Sequence, residues 1–227
     1  MDQASVSKSE IDRLGDRLRE TVSPDDLRML DGYRLSFADA YDEVANTVRE
    51  RTGVDVSGRP AKSTTAIVEK LKRESIRLSQ MQDIAGCRIV VGDIAQQNTV
   101  TNELLGLFPD SEISDRRETP SHGYRAVHII VPAANHKVEV QIRTQLQHLW
   151  AELSEKLADK FGIAVKYGGG TDAIRQRLGL LSENIDLLEL LDRTVGSDPR
   201  KKKHIDGGKM FLRETLTELL NSAESDE

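Results

Sequence analysis

Glu139, Gln141 and Arg143 alternate along Lys137-Val138-Glu139-Val140-Gln141-Ile142-Arg143-Thr144, with Val138, Val140 and Ile142 between them. At the two-residue period of a strand, the three polar side chains share one face and the three apolar ones the other. A solvated strand face carries the same pattern, so the neighbouring residues have to suggest the chemistry. Arg125 and His128 lie on the preceding β-rich run, entered through His122-Gly123-Tyr124. Upstream, Gln82-Asp83-Ile84-Ala85-Gly86-Cys87-Arg88 sets an acid just before a strand and an arginine inside it. Lys62, Lys70, Lys72 and Arg73 fall on one lysine-rich segment around a helix. Asp83 and Glu139, at adjacent strand ends, could both hold Mg²⁺, or serve as metal ligand and general base. The Lys and Arg cluster supplies charge for a polyphosphate. Together these groups suit the transfer of a phosphoryl-type group.

The elements that must position these residues can be read from periodicity. Ser23-Pro24-Asp25-Asp26 is a helix start, with Ser23 as cap, Pro24 at the first helical position and Asp26 as the capping-box acid. Phe37, Tyr41, Val44 and Val48 recur at three- and four-residue spacing, and Gly53 is the expected stop. β-rich runs cover 87–91, 125–131 and 137–144, and the short Ala133-Ala134-Asn135-His136 link predicts an antiparallel hairpin between the last two. Helical patterns fall at 63–76, 94–107 and 145–161. After Gly168-Gly169-Gly170, the residues Leu178, Leu181, Ile185, Leu188 and Leu191 mark a long amphipathic helix. A Gly/Pro/Lys-rich break from Gly196 to Gly208 is then expected before a last helix over 209–221. Its Lys201-Lys202-Lys203-His204 run reads as a solvated linker, or more sharply as an anionic contact. The expected fold class is α+β, a mixed sheet flanked by helices with helical N- and C-terminal extensions. The expected division is a helical region over 1–52, a core over 53–165 and C-terminal helices over 166–227.

Composition narrows the class further. With 227 residues, 37% hydrophobic and 31% charged, the chain can build one sizeable core with helical appendages under a charged surface. Aromatic residues are only 4%, so aliphatic side chains must fill that core. A net charge of −6 disfavours a protein that coats nucleic acid but leaves room for a local basic pocket. The single cysteine, Cys87, rules out an internal disulfide framework and a cysteine-rich zinc site. No apolar run approaches the ~18 residues of a membrane span, so no membrane partner is expected, and the default location is cytoplasmic.

Three motifs in order carry a resemblance to a known family. Asp83-Ile84-Ala85-Gly86-Cys87-Arg88, then His122-Gly123-Tyr124-Arg125-Ala126-Val127-His128, then Val138 to Thr144 resemble the synthetase domain of the RelA/SpoT family. Gln147-His148-Leu149-Trp150-Ala151-Glu152 continues the match, and the resemblance covers roughly residues 35–165. It implies a nucleotidyltransferase-like fold and a GTP diphosphokinase that moves pyrophosphate from ATP to the 3′-hydroxyl of GDP or GTP, releasing AMP. No His-Asp dipeptide is present, so the chain resembles a small, synthetase-only member.

The roles that the resemblance implies fall on individual residues. Asp83 matches a Mg²⁺ ligand, and Glu139 the carboxylate that assists the 3′-hydroxyl and shares the metal. Lys62 and Lys70 match lysines on the ATP phosphates, and Arg88 an arginine that stacks on adenine. Tyr124 matches the aromatic that stacks on guanine, while His128, Gln141 and Arg143 line the same pocket and His148 lies near the base. Two positions depart from the family pattern. Pro60 stands where an arginine is usual, with Arg59 one residue away as its expected substitute on ATP, and Ala66 replaces a serine. A toxin-like relative that pyrophosphorylates the 3′ end of tRNA, with an antitoxin partner, is the alternative; Arg116, Arg117 and the basic run at 200–203 would serve it. A homo-oligomer is compatible with either.

Overall fold

Side-chain caps set most of the helix starts. Ser7 and Glu10 form a capping box for α1 (Lys8–Glu20), and Ser23 with Asp26 forms the expected one for α2 (Pro24–Leu35). α3 (Ala38–Thr52) ends at Gly53, as its periodicity predicts. Ser63 accepts from the Ala66 amide to open α4 (Thr64–Arg73), and Asp93 accepts from Gln96 to open α5 (Ile94–Leu107). Thr144 and Gln147 make a third box at the start of α6 (Gln145–Phe161). Thr171 caps α7 (Asp172–Thr194), and α8 (Pro199–Ser225) closes the chain. This computed structural model describes residues 7–195 and 198–225.

Five strands form one mixed sheet. They are β1 (Val56–Arg59), β2 (Ala85–Val91), β3 (Glu112–Asp115), β4 (Val127–Ala133) and β5 (His136–Thr144), hydrogen-bonded in the order β1-β2-β5-β4-β3. β4 and β5 are the expected hairpin, and the turn residues Ala134 and Asn135 both take positive φ. The two edge strands were not expected. Each is four residues long and almost wholly exposed, so neither shows the buried–exposed alternation that betrays a strand in sequence.

The chain packs as two compact units whose segments interleave. One holds residues up to 88 with 105–112 and 129–141; the other holds 89–104, 113–128 and 142 onward. In the first, α1 lies against α2 and α4, and Leu14, Leu18, Leu30, Ile67 and Leu71 are buried to 1% exposure or less. In the second, Trp150, Leu153 and Ala158 of α6 pack with Leu178 and Ile185 of α7 and Leu212 and Leu216 of α8. Trp150 is the one aromatic side chain among these buried residues, and aliphatic side chains supply the rest, as a 4% aromatic chain must.

The C-terminal extension corrects one expectation. Gly196 and Ser197 lie outside the described residues, but 199–208 is helix and not a break. α8 is held there by α7. Lys202 and Lys209 both donate to the Asp192 carboxylate, at 3.1 and 2.6 Å. At Gly208 a Cβ would come within 2.9 Å of the tip of Leu188 on α7, so the two helices are in contact there. The basic run is thus the first turn and a half of a helix, with Lys202 tied to Asp192.

Candidate active site

The first cluster lies wholly in the first unit. Arg34 Nε donates to the Lys62 carbonyl at 2.6 Å, and the Lys62 amide donates to the Ile84 carbonyl at 2.6 Å, which fixes the backbone of that lysine beside the start of β2. Lys62 Nζ then reaches Asp83 Oδ2 at 2.6 Å, and Lys70 Nζ, from the last turn of α4, reaches Asp83 Oδ1 at 2.9 Å. Burial pushes the Asp83 carboxyl up, but the two ammonium charges and their hydrogen bonds prevail and hold it at about 2. The carboxylate is therefore ionised throughout the physiological range, with one cation on each oxygen.

Glu139 stands in the same unit on β5, where half-buried Glu139 and Gln141 alternate with buried Val138, Val140 and Ile142. Gln141 Nε2 donates to Glu139 Oε2 at 2.7 Å. Across the ladder, a Cβ at Gly86 would come within 3.1 Å of the Glu139 carbonyl oxygen, so β2 passes close to the Glu139 backbone there. Arg88 follows two residues along β2 and is half-buried, whereas Arg59 is exposed at the end of β1. Lys72 and Arg73 are exposed, and Arg73 pairs with Glu74 at 3.0 Å. Burial, with the Glu139 charge adding to it, pushes the Cys87 thiol up to about 12, which leaves it an inert core group.

The second cluster lies in the second unit. Ser121 and Tyr124 exchange backbone hydrogen bonds of 3.2 and 2.9 Å around a tight two-residue turn. Both central residues, His122 and Gly123, have positive φ, at 52° and 90°. A Cβ at Gly123 would stand 2.7 Å from Trp150 Cζ2, so glycine is required there on two counts. Tyr124 leaves this turn with its phenol oxygen 3.0 Å from Arg143 Nη2 and 2.8 Å from His128 Nε2. Arginine can only donate, so the phenol oxygen accepts from Arg143, and the same hydroxyl is hydrogen-bonded to His128 Nε2. Arg143 and His128 are buried, at 4% and 5% exposure, while the Tyr124 ring is half-buried beside a cavity of about 170 Å³ that Arg116, Trp150 and Ser154 help to line. His148, one turn into α6, lies 3.5 Å from Glu152. The structure thus groups Tyr124, His128 and Arg143 in one hydrogen-bonded set, and Lys62, Lys70 and Asp83 in another.

The region found in RelA/SpoT proteins matches residues 58–162. The Bacillus subtilis GTP pyrophosphokinase YjbM is 33% identical over 152 residues, covering 59% of this chain and 67% of that protein. The chain belongs to the RelA/SpoT family. An uncharacterized Mycobacterium tuberculosis protein, Rv1366, is 36% identical over 170 residues, which cover 71% of this chain and 62% of that protein. The chain thus spans less than two thirds of the length of that mycobacterial relative. In structure, the small alarmone synthetase 1 from Bacillus subtilis, bound to its product pppGpp, aligns with a TM-score of 0.62 at 24% identity. That alignment covers 76% of this chain and 98% of the other, and it establishes the shared fold.

Several residues that support the family motifs were invisible to sequence reasoning. α7 lies outside the RelA/SpoT segment, and its buried side carries Leu178, Ser182, Ile185 and Glu189. The apolar stripe expected from Leu178, Leu181, Ile185, Leu188 and Leu191 is therefore rotated, and Leu191 is exposed. Glu189 accepts from Thr144 Oγ1 at 2.5 Å and from Gln147 Nε2 at 2.9 Å, and Gln147 Oε1 accepts in turn from Gln97 at 2.9 Å. The only sequence signal was that two polar residues recur at core spacing on a long amphipathic helix.

Proposed function

We propose that this RelA/SpoT family chain is a GTP diphosphokinase that transfers the β,γ-pyrophosphoryl group of ATP to the 3′-hydroxyl of GDP or GTP. The observation that carries the proposal is the Asp83 carboxylate gripped by Lys62 and Lys70 within the matched segment. Two ammonium groups on one ionised carboxylate form a site that a polyphosphate can enter by exchange. The phosphate oxygens take over the lysines, and the released carboxylate oxygens become available to a divalent cation. The name of YjbM, a GTP pyrophosphokinase, and the pppGpp held by small alarmone synthetase 1 support the same substrates.

Mg²⁺ is the metal that the donor set suits. Asp83 and Glu139 offer only hard oxygen donors, and among the described residues no three His, Cys, Asp or Glu side chains converge on a metal position. An ion bound there would draw its other ligands from substrate phosphate and water, which is the usual habit of Mg²⁺. When bound, it would neutralise charge developing on the transferred phosphates. Lys62 and Lys70 hold the same phosphates from the protein side, with Arg88 and Arg59 for the adenine end. Glu139, oriented by Gln141, takes the proton as the 3′-oxygen attacks the β-phosphorus. The bond from the α,β-bridging oxygen to that phosphorus breaks, and AMP leaves. The half-buried Tyr124 ring offers a base-stacking surface for guanine, braced at its hydroxyl by Arg143 and His128, with His148 toward the base edge.

The names of the Bacillus subtilis relatives, GTP pyrophosphokinases YjbM and YwaC, give a tRNA acceptor no support. Of the basic residues it would use, Arg117 pairs with Asp115 at 2.5 Å and Lys202 with Asp192 at 3.1 Å, while Arg200, Lys201 and Lys203 are exposed.

The test is a pair of variants assayed with ATP, GDP and Mg²⁺. Asp83→Asn should abolish AMP release with the fold intact, because a neutral amide is a far poorer ligand for the ion. Glu139→Gln should lower kcat by about 10²–10⁴ with little change in nucleotide binding. Near-wild-type turnover in Asp83→Asn would refute the assignment of the first cluster.

A further inference from the structure

α7 places Ser182 against the turn that carries Tyr124. The Ser182 hydroxyl donates to the Gly123 carbonyl at 2.7 Å and accepts from Arg125 Nε at 3.2 Å, so both of its hydrogen-bonding functions are spent on the residues that flank Tyr124. Arg125 is 8% exposed; it also donates to the Arg117 carbonyl and lies 3.2 Å from Asp186, one helical turn beyond Ser182. The Trp150 ring stands 2.7 Å from where a Gly123 Cβ would be, and Ser182 Cβ stands 3.3 Å from the same point. The Trp150 Nε1–H donates at 2.8 Å to the Leu178 carbonyl, again on α7. α7 thus engages both side chains that crowd Gly123.

A helix packed only for stability would present an apolar residue at this buried position, since a buried hydroxyl gains little over an alkyl group unless it is bonded. Ser182 is 3% exposed, and both of its bonds go to the acceptor-side turn. Glu189, two turns on, shows the same arrangement, with its carboxylate on Thr144 and Gln147 at the junction of β5 and α6, between Arg143 and His148. The buried polar residues of α7 therefore lead to the two segments that carry Tyr124, Arg143 and His148.

We propose that Ser182 is a positioning residue for acceptor recognition, setting the pitch of the Tyr124 ring through the Gly123 carbonyl and Arg125. The proposal rests on the GTP diphosphokinase reading above, and it extends the acceptor machinery to a helix beyond the RelA/SpoT segment.

Ser182→Ala keeps the volume and removes both bonds. The expected result is a rise of roughly three- to tenfold in the KM for GDP, one hydrogen bond's worth of alignment, with the ATP KM unchanged. The emission of Trp150, the chain's single tryptophan, should stay as in the wild type and so report an intact α6–α7 contact. In a Tyr124→Ala background the same substitution should add nothing further, because Ser182 acts through the ring. Arg125→Lys, which keeps the charge but loses the Nε donor, should reproduce the selective effect. Equal rises in both KM values, an unchanged GDP KM, or full additivity with Tyr124→Ala would each overturn the proposal. Wild-type protein is run alongside with GDP binding measured by equilibrium dialysis. Failure of the wild type to release AMP counts against the activity, and the Ser182→Ala effect is then read in the GDP Kd. A wild type that neither binds GDP nor releases AMP overturns both.

Discussion

Arg143 Nη2 donates to the Tyr124 phenol oxygen at 3.0 Å, so a guanidinium that is 4% exposed braces a ring that is half-buried. The same hydroxyl is hydrogen-bonded to His128 Nε2, 2.8 Å away. A base-stacking tyrosine needs one free face and a fixed tilt, and these two partners supply the tilt. Tyr124→Phe should therefore be more than a mild change. It removes the acceptor for the Arg143 Nε–H and Nη2–H and the hydroxyl partner of His128, at a cost of about 1–3 kcal/mol. We expect a lowered melting temperature and a moderate rise in acceptor KM, both seen in thermal unfolding and steady-state kinetics of the purified variant. A variant matching the wild type in both would show that the phenol bonds do not matter.

Tyr124→Ala removes the stacking surface itself. Base stacking on an aromatic ring is worth about 1–3 kcal/mol, so the KM for GDP or GTP should rise by roughly ten- to a hundredfold. The ATP KM should stay within a factor of two or so. An effect confined to ATP would move the ring to the donor side.

Gly123→Ala tests the turn beneath that ring. The position has φ of 90° and no space for a Cβ, which would meet the Trp150 ring at 2.7 Å. Backbone strain and overpacking should together cost on the order of 2–4 kcal/mol. Urea unfolding followed by Trp150 emission would measure it, and a loss below about 0.5 kcal/mol would mean that the turn relaxes freely.

Asp83 gives the first cluster a pH signature. Its carboxyl is held at about 2, against 3.8 unperturbed, chiefly by Lys62 and Lys70 working against burial. A depressed folded-state value contributes stability above the unfolded value, and that contribution is lost as pH falls from about 4 through about 2. The shift corresponds to roughly 2 kcal/mol. Wild type should be more stable than Asp83→Asn near neutrality, and the gap should shrink across that acid window. A gap independent of pH would mean that the lysines do not act on Asp83 as charges.

Much of this was legible in the residues, for identifiable reasons. The alternation in β5 and the periodicity of α5 and α6 gave those elements to within a residue, because each buries one face against the core. β1 and β3 escaped because edge strands with exposed side chains carry no burial period. The Gly196–Gly208 stretch was expected to break because glycine and lysine runs read as linker, yet Lys202 and Lys209, both bonded to Asp192 of α7, lie on one helix from Pro199 onward. Asp83 and Lys62 are 21 residues apart in sequence, and the ion pair between them was inferable only as a cluster of charge types. The contacts of Ser182 and Glu189 join residues more than forty positions apart, and no local pattern encodes them.

The most direct test of the central claim follows the phosphorus. ATP labelled at the β-phosphate is incubated with the purified chain, Mg²⁺ and unlabelled GDP or GTP, and the nucleotides are resolved. The account predicts that the label moves onto the guanosine nucleotide as a 3′-pyrophosphate while unlabelled AMP accumulates in equal amount. Label retained in ADP, with the guanosine nucleotide unmodified at its 3′ position, would contradict it.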